Sequence, residues 1–266
     1  MALPTVLEYE SFIEKNVIGF ALPKAQKYYE NVTTIMKADF EKSVFFRKLN
    51  QELPRYNEEY LLSKKYVLFT KVQPVQIETK PFNSMINKCY RQDIINNPQW
   101  SKATFDWKDK DVWMNPLQCF ERFSDILRTR ISVRYLDGAV FILDKLKLLA
   151  DSVTLSYEYD YKAEEEGYYA IHFDLIAPFE IPSLEFETCK IKSRVEIQIN
   201  TEIQDLILAL THKYYEERRI TSKVSSEKWQ WDYECEEFLP NYLGHIIHYI
   251  EGMIMEVRKR QEEIIE

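Results

Sequence analysis

Glycine and cysteine are scarce in this chain, and long apolar runs are absent. Its 266 residues include 5 glycines and 4 cysteines. So few glycines, together with only 10 prolines, argue against a linker-rich or low-complexity chain. Because no apolar run reaches about 18 residues, we expect no membrane-spanning helix. The hydrophobic fraction of 45% is instead typical of a chain that buries a sizeable core.

The few cysteines exclude two further classes. They are scattered at Cys89, Cys119, Cys189 and Cys235. Without a CxxC pair, neither a zinc ribbon nor a disulfide framework is indicated, and we expect reduced thiols. His245 and His248 have the helical i, i+3 spacing of a metal pair, but no third ligand stands near them in the sequence. The N-terminal segment lacks the regions of a secretory signal, so we expect a cytoplasmic protein with no membrane partner.

Charge is unevenly divided along the chain, whose net charge is -8. Residues 1–150 hold 23 Lys and Arg against 18 Asp and Glu, whereas residues 151–266 hold 12 against 25. A partner with phosphates would be attracted to the first part and repelled by the second. The alternative is that the charged residues of both parts simply lie on solvent-exposed faces, which requires no such partner.

Strands and helices alternate through the middle of the chain, and helices bracket it. The pattern predicts helices over 22–49, 82–91, 139–149 and 238–266, with a further helix from Thr201, which we expect as its cap. It predicts strands over 66–72, 130–135, 153–161, 168–176 and 186–199. Pro54 is expected to interrupt the first helical region. The fold class is therefore α/β or α+β, with a mixed sheet of about five strands and surrounding helices.

Three distant stretches contain residues suited to metal-assisted phosphoryl chemistry. Asp125 lies at the junction of a predicted helix and a predicted strand, and Glu196 lies within another strand. Gly167 and Tyr168 open a third strand, in which His172 shares a face with Tyr168 because side chains alternate with a period of two. Two carboxylates can hold Mg²⁺ together with substrate phosphates. Gly167 is free to adopt a positive φ, which leaves Tyr168 at the strand mouth, where its ring can stack on a base. Ordinary solvent-facing acids and cross-strand aromatic pairs are the alternatives.

These stretches resemble the motifs of the RelA/SpoT alarmone synthetases, in the family's order. The motifs Asp-Ile-x-x-x-Arg, Gly-Tyr-x-x-x-His and Glu-Ile-Gln-Ile are matched from Asp125, Gly167 and Glu196. The later helix carries His212, and a Lys-x-x-x-Ser-x-x-x-Lys segment begins at Lys80. The resemblance implies a nucleotidyltransferase-like synthetase domain over 61–222, with helical extensions at 1–60 and 223–266.

The resemblance implies that the chain is an ATP-dependent pyrophosphokinase acting on a 3′-hydroxyl. ATP would be the pyrophosphate donor and Mg²⁺ the cofactor. The implied catalytic residues are Asp125, Glu196 and Arg130, of which Asp125 and Glu196 would also bind the metal. The implied ATP-binding residues are Lys80, Ser84, Lys88 and Arg130. The implied acceptor-binding residues are Gly167, Tyr168, His172, Gln198 and His212. Such chemistry relies on positioning and charge neutralisation and needs no covalent nucleophile.

The chain departs from the family pattern at three places. Glu78 replaces an arginine that helps to hold adenine, and Asn200 replaces the arginine common after Glu-Ile-Gln-Ile. The turn over 162–166 carries three glutamates, where alarmone producers tend to have a basic residue for 5′-phosphates. The turn resembles that of the toxic small synthetases, which modify the 3′-CCA end of tRNA. A tRNA backbone would then follow basic residues of the first part: Lys64, Lys65, Lys71, Arg91 and Arg122.

Two other functions are consistent with the same motifs. One is synthesis of guanosine or adenosine alarmones from guanine or adenine nucleotides. The other is a non-catalytic nucleotide-binding module, which Glu78 and Asn200 favour and the retained Asp125 and Glu196 oppose. The apolar stripe on the terminal helix, from Leu243 to Val257, is typical of core, but it would also suit an antitoxin protein or a second copy of the chain.

Overall fold

The computed structural model describes residues 3–18, 21–97, 113–184, 187–221 and 229–265. Its helices are α1 (Val6–Ile13), α2 (Leu22–Lys42), α3 (Val44–Lys64), α4 (Phe82–Tyr90), α5 (Cys119–Arg122), α6 (Leu136–Ser152), α7 (Glu202–Thr221) and α8 (Phe238–Ile265). Its strands are β1 (Glu78–Thr79), β2 (Leu127–Val133), β3 (Ser156–Ala163), β4 (Tyr169–Pro182) and β5 (Thr188–Thr201). Shorter helical turns cover Glu14–Ile18, Arg91–Ile95, Pro116–Gln118 and Trp229–Trp231.

The five strands form one mixed sheet in the order β1-β2-β5-β4-β3. Strands β1 and β2 are antiparallel, with Glu78 opposite Arg128. Strands β2 and β5 are parallel, since Arg130 contacts Gln198 and Ser132 contacts Asn200 with the same offset along both strands. The predicted fold class, a mixed sheet of about five strands with surrounding helices, is confirmed.

The chain groups into two compact units, and both are discontinuous in sequence. Unit 1 comprises Met1–Lys42, Ile77–Arg128 and Ile176–Glu196, and unit 2 comprises Ser43–Gln76, Thr129–Leu175 and Ile197–Glu266. The division of the chain into a synthetase domain over 61–222 and two helical extensions stays a prediction.

Aromatic side chains fill the core of unit 1. The ring of Tyr29 on α2 stacks on Phe120 of α5, with centroids 5.6 Å apart, and meets the edge of Phe82 on α4. The Tyr29 hydroxyl donates a 2.7 Å hydrogen bond to the Lys80 carbonyl. Helix α2 therefore supports the segment that joins β1 to α4.

A buried polar contact joins three helices of unit 2. Asp137 in the first turn of α6 accepts hydrogen bonds from the Tyr60 hydroxyl of α3, at 2.8 Å, and from Arg258 of α8, at 3.0 Å. Because Arg258 is only 4% exposed, its charge needs this carboxylate. The apolar stripe that precedes Arg258 on α8 is not core as predicted, since Leu243 and Ile247 are half-buried and Ile250, Met253 and Val257 are each more than 40% exposed.

Two predicted local features are wrong. Residues 66–72 form no strand, because the backbone N–H groups of Leu68 and Phe69 donate to the side-chain oxygen of Asn57 and not to a ladder. Pro54 does not interrupt its helix, and α3 continues to Lys64. The helix instead breaks at Ser43, whose hydroxyl caps α3 by accepting from the Phe46 N–H.

Helix boundaries also differ from the sequence pattern. Helix α6 begins at Leu136, before the predicted start at residue 139, so Asp137 and Gly138 lie in its first turn. The predicted helix over 238–266 is confirmed as α8, which is continuous through Gly244 and Gly252. Among the described helices, none is both long and apolar enough to cross a membrane. The expected cap of α7 is confirmed, since the Thr201 hydroxyl accepts a 3.2 Å hydrogen bond from the Gln204 N–H.

Candidate active site

Two lysines and one aspartate meet in unit 1. Lys80 follows β1, Lys88 lies on α4, and Asp125 lies between α5 and β2. Each lysine ammonium is 2.8 Å from a different oxygen of the Asp125 carboxylate. A 2.9 Å hydrogen bond from the Lys80 N–H to the Ile126 carbonyl aligns the two segments. Three residues predicted to bind ATP or metal are thus brought into direct contact.

The Asp125 carboxylate is charged although its side chain is only 16% exposed. Burial by itself raises its pKa, but the ammonium groups of Lys80 and Lys88 together lower it to about 2. Burial lowers the pKa of Lys80, and Asp125 opposes that change. Two cations beside one anion leave a surplus of positive charge, which favours an anionic ligand such as a phosphate group.

The other predicted residues of unit 1 are Ser84 and Glu196. Ser84 is half-buried on α4, one turn before Lys88 and on the same side of the helix. Glu196 is 6% exposed, between the buried side chains Val195 and Ile197 of β5. This burial excludes a solvent-facing position for Glu196, which was the alternative to a site residue.

The donor set suits Mg²⁺ only if substrate supplies further ligands. An ionised carboxylate such as Asp125 is a ligand that Mg²⁺ prefers, and the ion commonly combines one or two carboxylates with substrate phosphates. Across the described parts of the chain, no group of three or more His, Cys, Asp or Glu side chains is placed to hold a metal. His245 and His248 therefore belong to no such group among the described residues.

Arg130 occupies a polar cluster in unit 2. Its guanidinium donates to the side-chain oxygen of Gln198 on β5, at 3.2 Å, and to Asp205 in the first turn of α7. The structure thus joins Arg130 to Gln198, both predicted site residues, and adds Asp205. The sequence signal for Asp205 was only its place in the first turn of a helix, where acids are common for electrostatic reasons.

Asn200 completes the same cluster in place of the family's arginine. It is 3% exposed, and its side-chain oxygen accepts a 3.1 Å hydrogen bond from the Ser132 hydroxyl. Within the described residues its side-chain nitrogen has no hydrogen-bond partner. A short amide fits this buried position, which Ser132 and Asp205 already line.

The Gly167 turn has the predicted backbone. Gly167 has φ of 81°, in the region that glycine adopts most readily. Tyr168 is half-buried, and its hydroxyl lies 2.8 Å from Nε2 of His172, which confirms that the two side chains share a face. His212 lies on α7, but its side chain falls outside the described part of the structure.

Glu78, which stands where the synthetase motif has an arginine, is paired with an arginine on the neighbouring strand. Glu78 lies opposite Arg128 in the β1–β2 pair, and their charged groups are 3.6 Å apart. A cation is therefore present beside this position, on the neighbouring strand. No local sequence signal identifies Arg128, because the pairing of two residues 50 apart depends on the sheet register.

The four cysteines are free thiols, as expected. Cys89 and Cys119 are buried, Cys189 is exposed, and Cys235 is intermediate. Burial raises the pKa of both the Cys89 and Cys119 thiols, which makes them poor nucleophiles. They act as small apolar side chains in the core of unit 1.

The fold of this chain is similar to that of small alarmone synthetases in solved structures. The small alarmone synthetase 1 from Bacillus subtilis, in a structure bound to its product pppGpp, is 17% identical with a TM-score of 0.51, over 84% of this chain and 96% of that one. Small alarmone synthetase 2 from the same organism is 16% identical with a TM-score of 0.51, over 87% and 98%.

A third similar structure is a GTP pyrophosphokinase family protein from Streptococcus pneumoniae. It is 14% identical with a TM-score of 0.50, over 97% of this chain and 96% of that one. No protein-family model and no curated protein sequence matches the chain. At these identities the comparisons establish the fold.

Proposed function

We propose that this protein is an ATP-dependent pyrophosphokinase that transfers pyrophosphate to a 3′-hydroxyl. The observation that carries the proposal is the contact of Lys80 and Lys88 with one ionised carboxylate, Asp125, at 2.8 Å each. These residues come from the ATP segment and the Asp-Ile-x-x-x-Arg motif, on a fold shared with alarmone synthetases. A partly buried surplus of positive charge suits a triphosphate.

The reaction needs in-line displacement at the β-phosphorus of ATP. The acceptor's 3′-oxygen forms a bond to that phosphorus, the bond to the α–β bridging oxygen breaks, and AMP leaves with the electron pair. The proton of the hydroxyl passes to Glu196, which acts as general base and returns it to solvent. Lys80, Lys88 and Arg130 hold the phosphates, with Ser84 as a hydrogen-bond donor to them.

Asp125 and Glu196 are the residues that would hold Mg²⁺. Bound there, the ion would neutralise charge on the transferred phosphates. Asp125 is already ionised, with a pKa of about 2, and would exchange its lysine partners for the ion when phosphates occupy those lysines.

The acceptor that we propose is the 3′-CCA end of tRNA, so that modification would stop translation. Tyr168 would stack on the terminal adenine, with Gly167, His172, Gln198 and His212 around it. The acidic turn supports an acceptor without 5′-phosphates, because its one lysine, Lys162, is paired with Asp160 at 2.5 Å. A toxic activity of this kind would call for a protein antitoxin.

An alarmone synthetase that uses a guanine nucleotide is the second candidate. The similar fold of a synthetase whose structure holds pppGpp favours it. The acidic turn over 162–166 weighs against a diphosphate or triphosphate acceptor.

One labelling experiment separates the two. The protein is incubated with Mg²⁺, with ATP labelled in its β-phosphate, and with deacylated tRNA, GDP or GTP. We expect label on tRNA, and none on a matched tRNA that ends in 3′-deoxyadenosine. Label on GDP or GTP alone would replace the tRNA proposal with alarmone synthesis. No transfer to any acceptor, with ATP still bound in calorimetry, would indicate a nucleotide-binding module.

A further inference from the structure

The C-terminal helix α8 lies directly against the turn that carries Tyr168. A Cβ atom added at Gly244 of α8 would be 2.2 Å from the Gly167 carbonyl oxygen, and one added at Gly167 would be 2.4 Å from the Asn241 carbonyl oxygen. Both contacts are with backbone atoms, which cannot rotate away. Two glycines thus allow the helix and the turn to approach backbone to backbone.

His245 bridges the two sides of this turn. Its Nε2 lies 2.9 Å from the Glu165 carbonyl oxygen, and its Nδ1 lies 2.8 Å from the Tyr169 hydroxyl. A carbonyl only accepts, so Nε2 donates to it, and Nδ1 of the neutral ring accepts from Tyr169. The ring of His248, one turn later, stacks on Tyr169 with centroids 3.7 Å apart and planes at 7°.

Helix α8 is itself fixed by buried polar contacts in unit 2. Glu251, 5% exposed, accepts hydrogen bonds from the Thr201 hydroxyl and from the Gln204 side chain. Arg258 pairs with Asp137, as described above. The helix is therefore anchored at two places. It holds the segment over 164–169, which overlaps the acidic turn, at Glu165, Gly167 and Tyr169.

We propose that α8 is part of the acceptor site, with His245 as a positioning residue for Tyr168. The inference rests on the proposed function. Tyr168 lies between two residues that α8 holds, Gly167 and Tyr169, so the backbone from which its ring extends is fixed, while His172 holds its hydroxyl. Stacking on a base requires a fixed ring plane, and first-contact residues are positioned by the groups that support them. The segment expected to be a separate C-terminal extension would then set acceptor affinity.

A pair of glycine substitutions in α8 provides a matched test. Gly244→Ala places a methyl group against Gly167, whereas a Cβ at Gly252 meets no atom within 4 Å. We expect Gly244→Ala to raise the acceptor KM at least about tenfold and Gly252→Ala to leave it unchanged. Both substitutions replace glycine by a better helix former, so helix propensity does not distinguish them.

Variants at His245 keep the test valid if Gly244→Ala fails to fold. His245→Ala removes both hydrogen bonds and should raise the acceptor KM about tenfold, with the KM for ATP unchanged. His245→Gln retains a donor for the Glu165 carbonyl and should restore part of the affinity. Hydrogen exchange of the 164–169 amides should accelerate in His245→Ala and not in Gly252→Ala.

The outcomes separate this inference from the proposed function. If the wild type transfers pyrophosphate and His245→Ala raises only the acceptor KM, the inference is supported. If the wild type transfers but both KM values change together, or neither changes, α8 has only a structural role and the inference is overturned. A wild type that modifies no acceptor overturns the proposed function, and the inference with it.

Discussion

Two aspartates in unit 1, Asp125 partly buried and Asp93 fully buried, have opposite electrostatic environments. Asp125 has two lysine ammonium groups at 2.8 Å, and its pKa is lowered to about 2. Asp93 is fully buried, and its hydrogen-bond donors among the described residues are neutral, the Tyr9 hydroxyl at 2.6 Å and the Met114 N–H at 2.7 Å, with the charge of Arg122 as a weaker influence. Burial raises the pKa of Asp93 to about 6, although these hydrogen bonds oppose the change.

Charged partners, and not burial alone, therefore decide which carboxylate is available for chemistry. Asp125 remains an anion throughout the physiological pH range and can exchange its lysines for a ligand. Asp93 instead joins α1, through Tyr9, to the backbone of Met114. It has the contacts of a residue that holds chain segments together.

The largest predicted difference between the two aspartates is in catalysis. Asp125→Asn should lower the rate of pyrophosphate transfer roughly a thousandfold, because it removes the ionised ligand beside the phosphate-binding lysines. Asp93→Asn should retain most of the activity. Initial rates with β-labelled ATP measure both, and circular dichroism checks folding. Activity of Asp125→Asn within tenfold of wild type would remove it from the metal assignment.

The two lysines that contact Asp125 can be replaced one at a time, which removes one of its positive partners. Lys80→Met or Lys88→Met should reduce kcat/KM for ATP about a hundredfold, since each removes a charged contact to phosphate. The control is Lys190→Met, also in unit 1, whose side chain is 83% exposed. Binding of a fluorescent ATP analogue should weaken in the first two variants only. Equal binding by all three variants would contradict the ATP assignment.

The sequence predicted the local geometry of the site well. The positive φ of Gly167, the place of Asp125 between a helix and a strand, and the shared face of Tyr168 and His172 all follow from short-range pattern, and the structure confirms them. These features depend on glycine's conformational freedom and on the period of two in a strand, which neighbouring residues determine.

Tertiary contacts explain what the sequence did not predict. The 66–72 segment has strand-like composition, but the Asn57 side-chain oxygen accepts hydrogen bonds from the Leu68 and Phe69 N–H groups, which a sheet would need. Pro54 is tolerated within α3 because the face that carries Leu53 and Tyr56 is buried, which outweighs the local disruption. The pairing of His245 with Tyr169 joins residues 76 apart, and no local signal identifies such a partner.

Asp93 and Asp125 should affect the free energy of unfolding in different pH ranges. The folded chain binds the Asp93 proton more tightly than the unfolded chain, so its contribution is largest below about pH 4 and is lost as the pH rises through 6. The shift corresponds to at most about 3 kcal/mol. Asp125 has the opposite sign, because its contribution is present above about pH 4 and is lost as the pH falls towards 2.

Denaturant unfolding of wild type and Asp93→Asn between pH 4 and pH 8 measures the Asp93 contribution. The free energy of unfolding should fall more for the wild type than for the variant over this range. Asp125→Asn should parallel the wild type there and diverge only below about pH 4. Parallel curves for wild type and Asp93→Asn would show that Asp93 does not titrate as its environment predicts.

The smallest effect is expected at a third carboxylate of unit 1, Glu78. It pairs with Arg128 at 3.6 Å, but its side chain is 71% exposed, so water and salt screen the pair. A double-mutant cycle with Glu78→Gln and Arg128→Gln should give a coupling energy below about 1 kcal/mol, and high salt should abolish it. A larger, salt-resistant coupling energy would mean that this pair is shielded from solvent, as Asp125 and its lysines are. Arg128 would then do more than stabilise the pairing of β1 with β2.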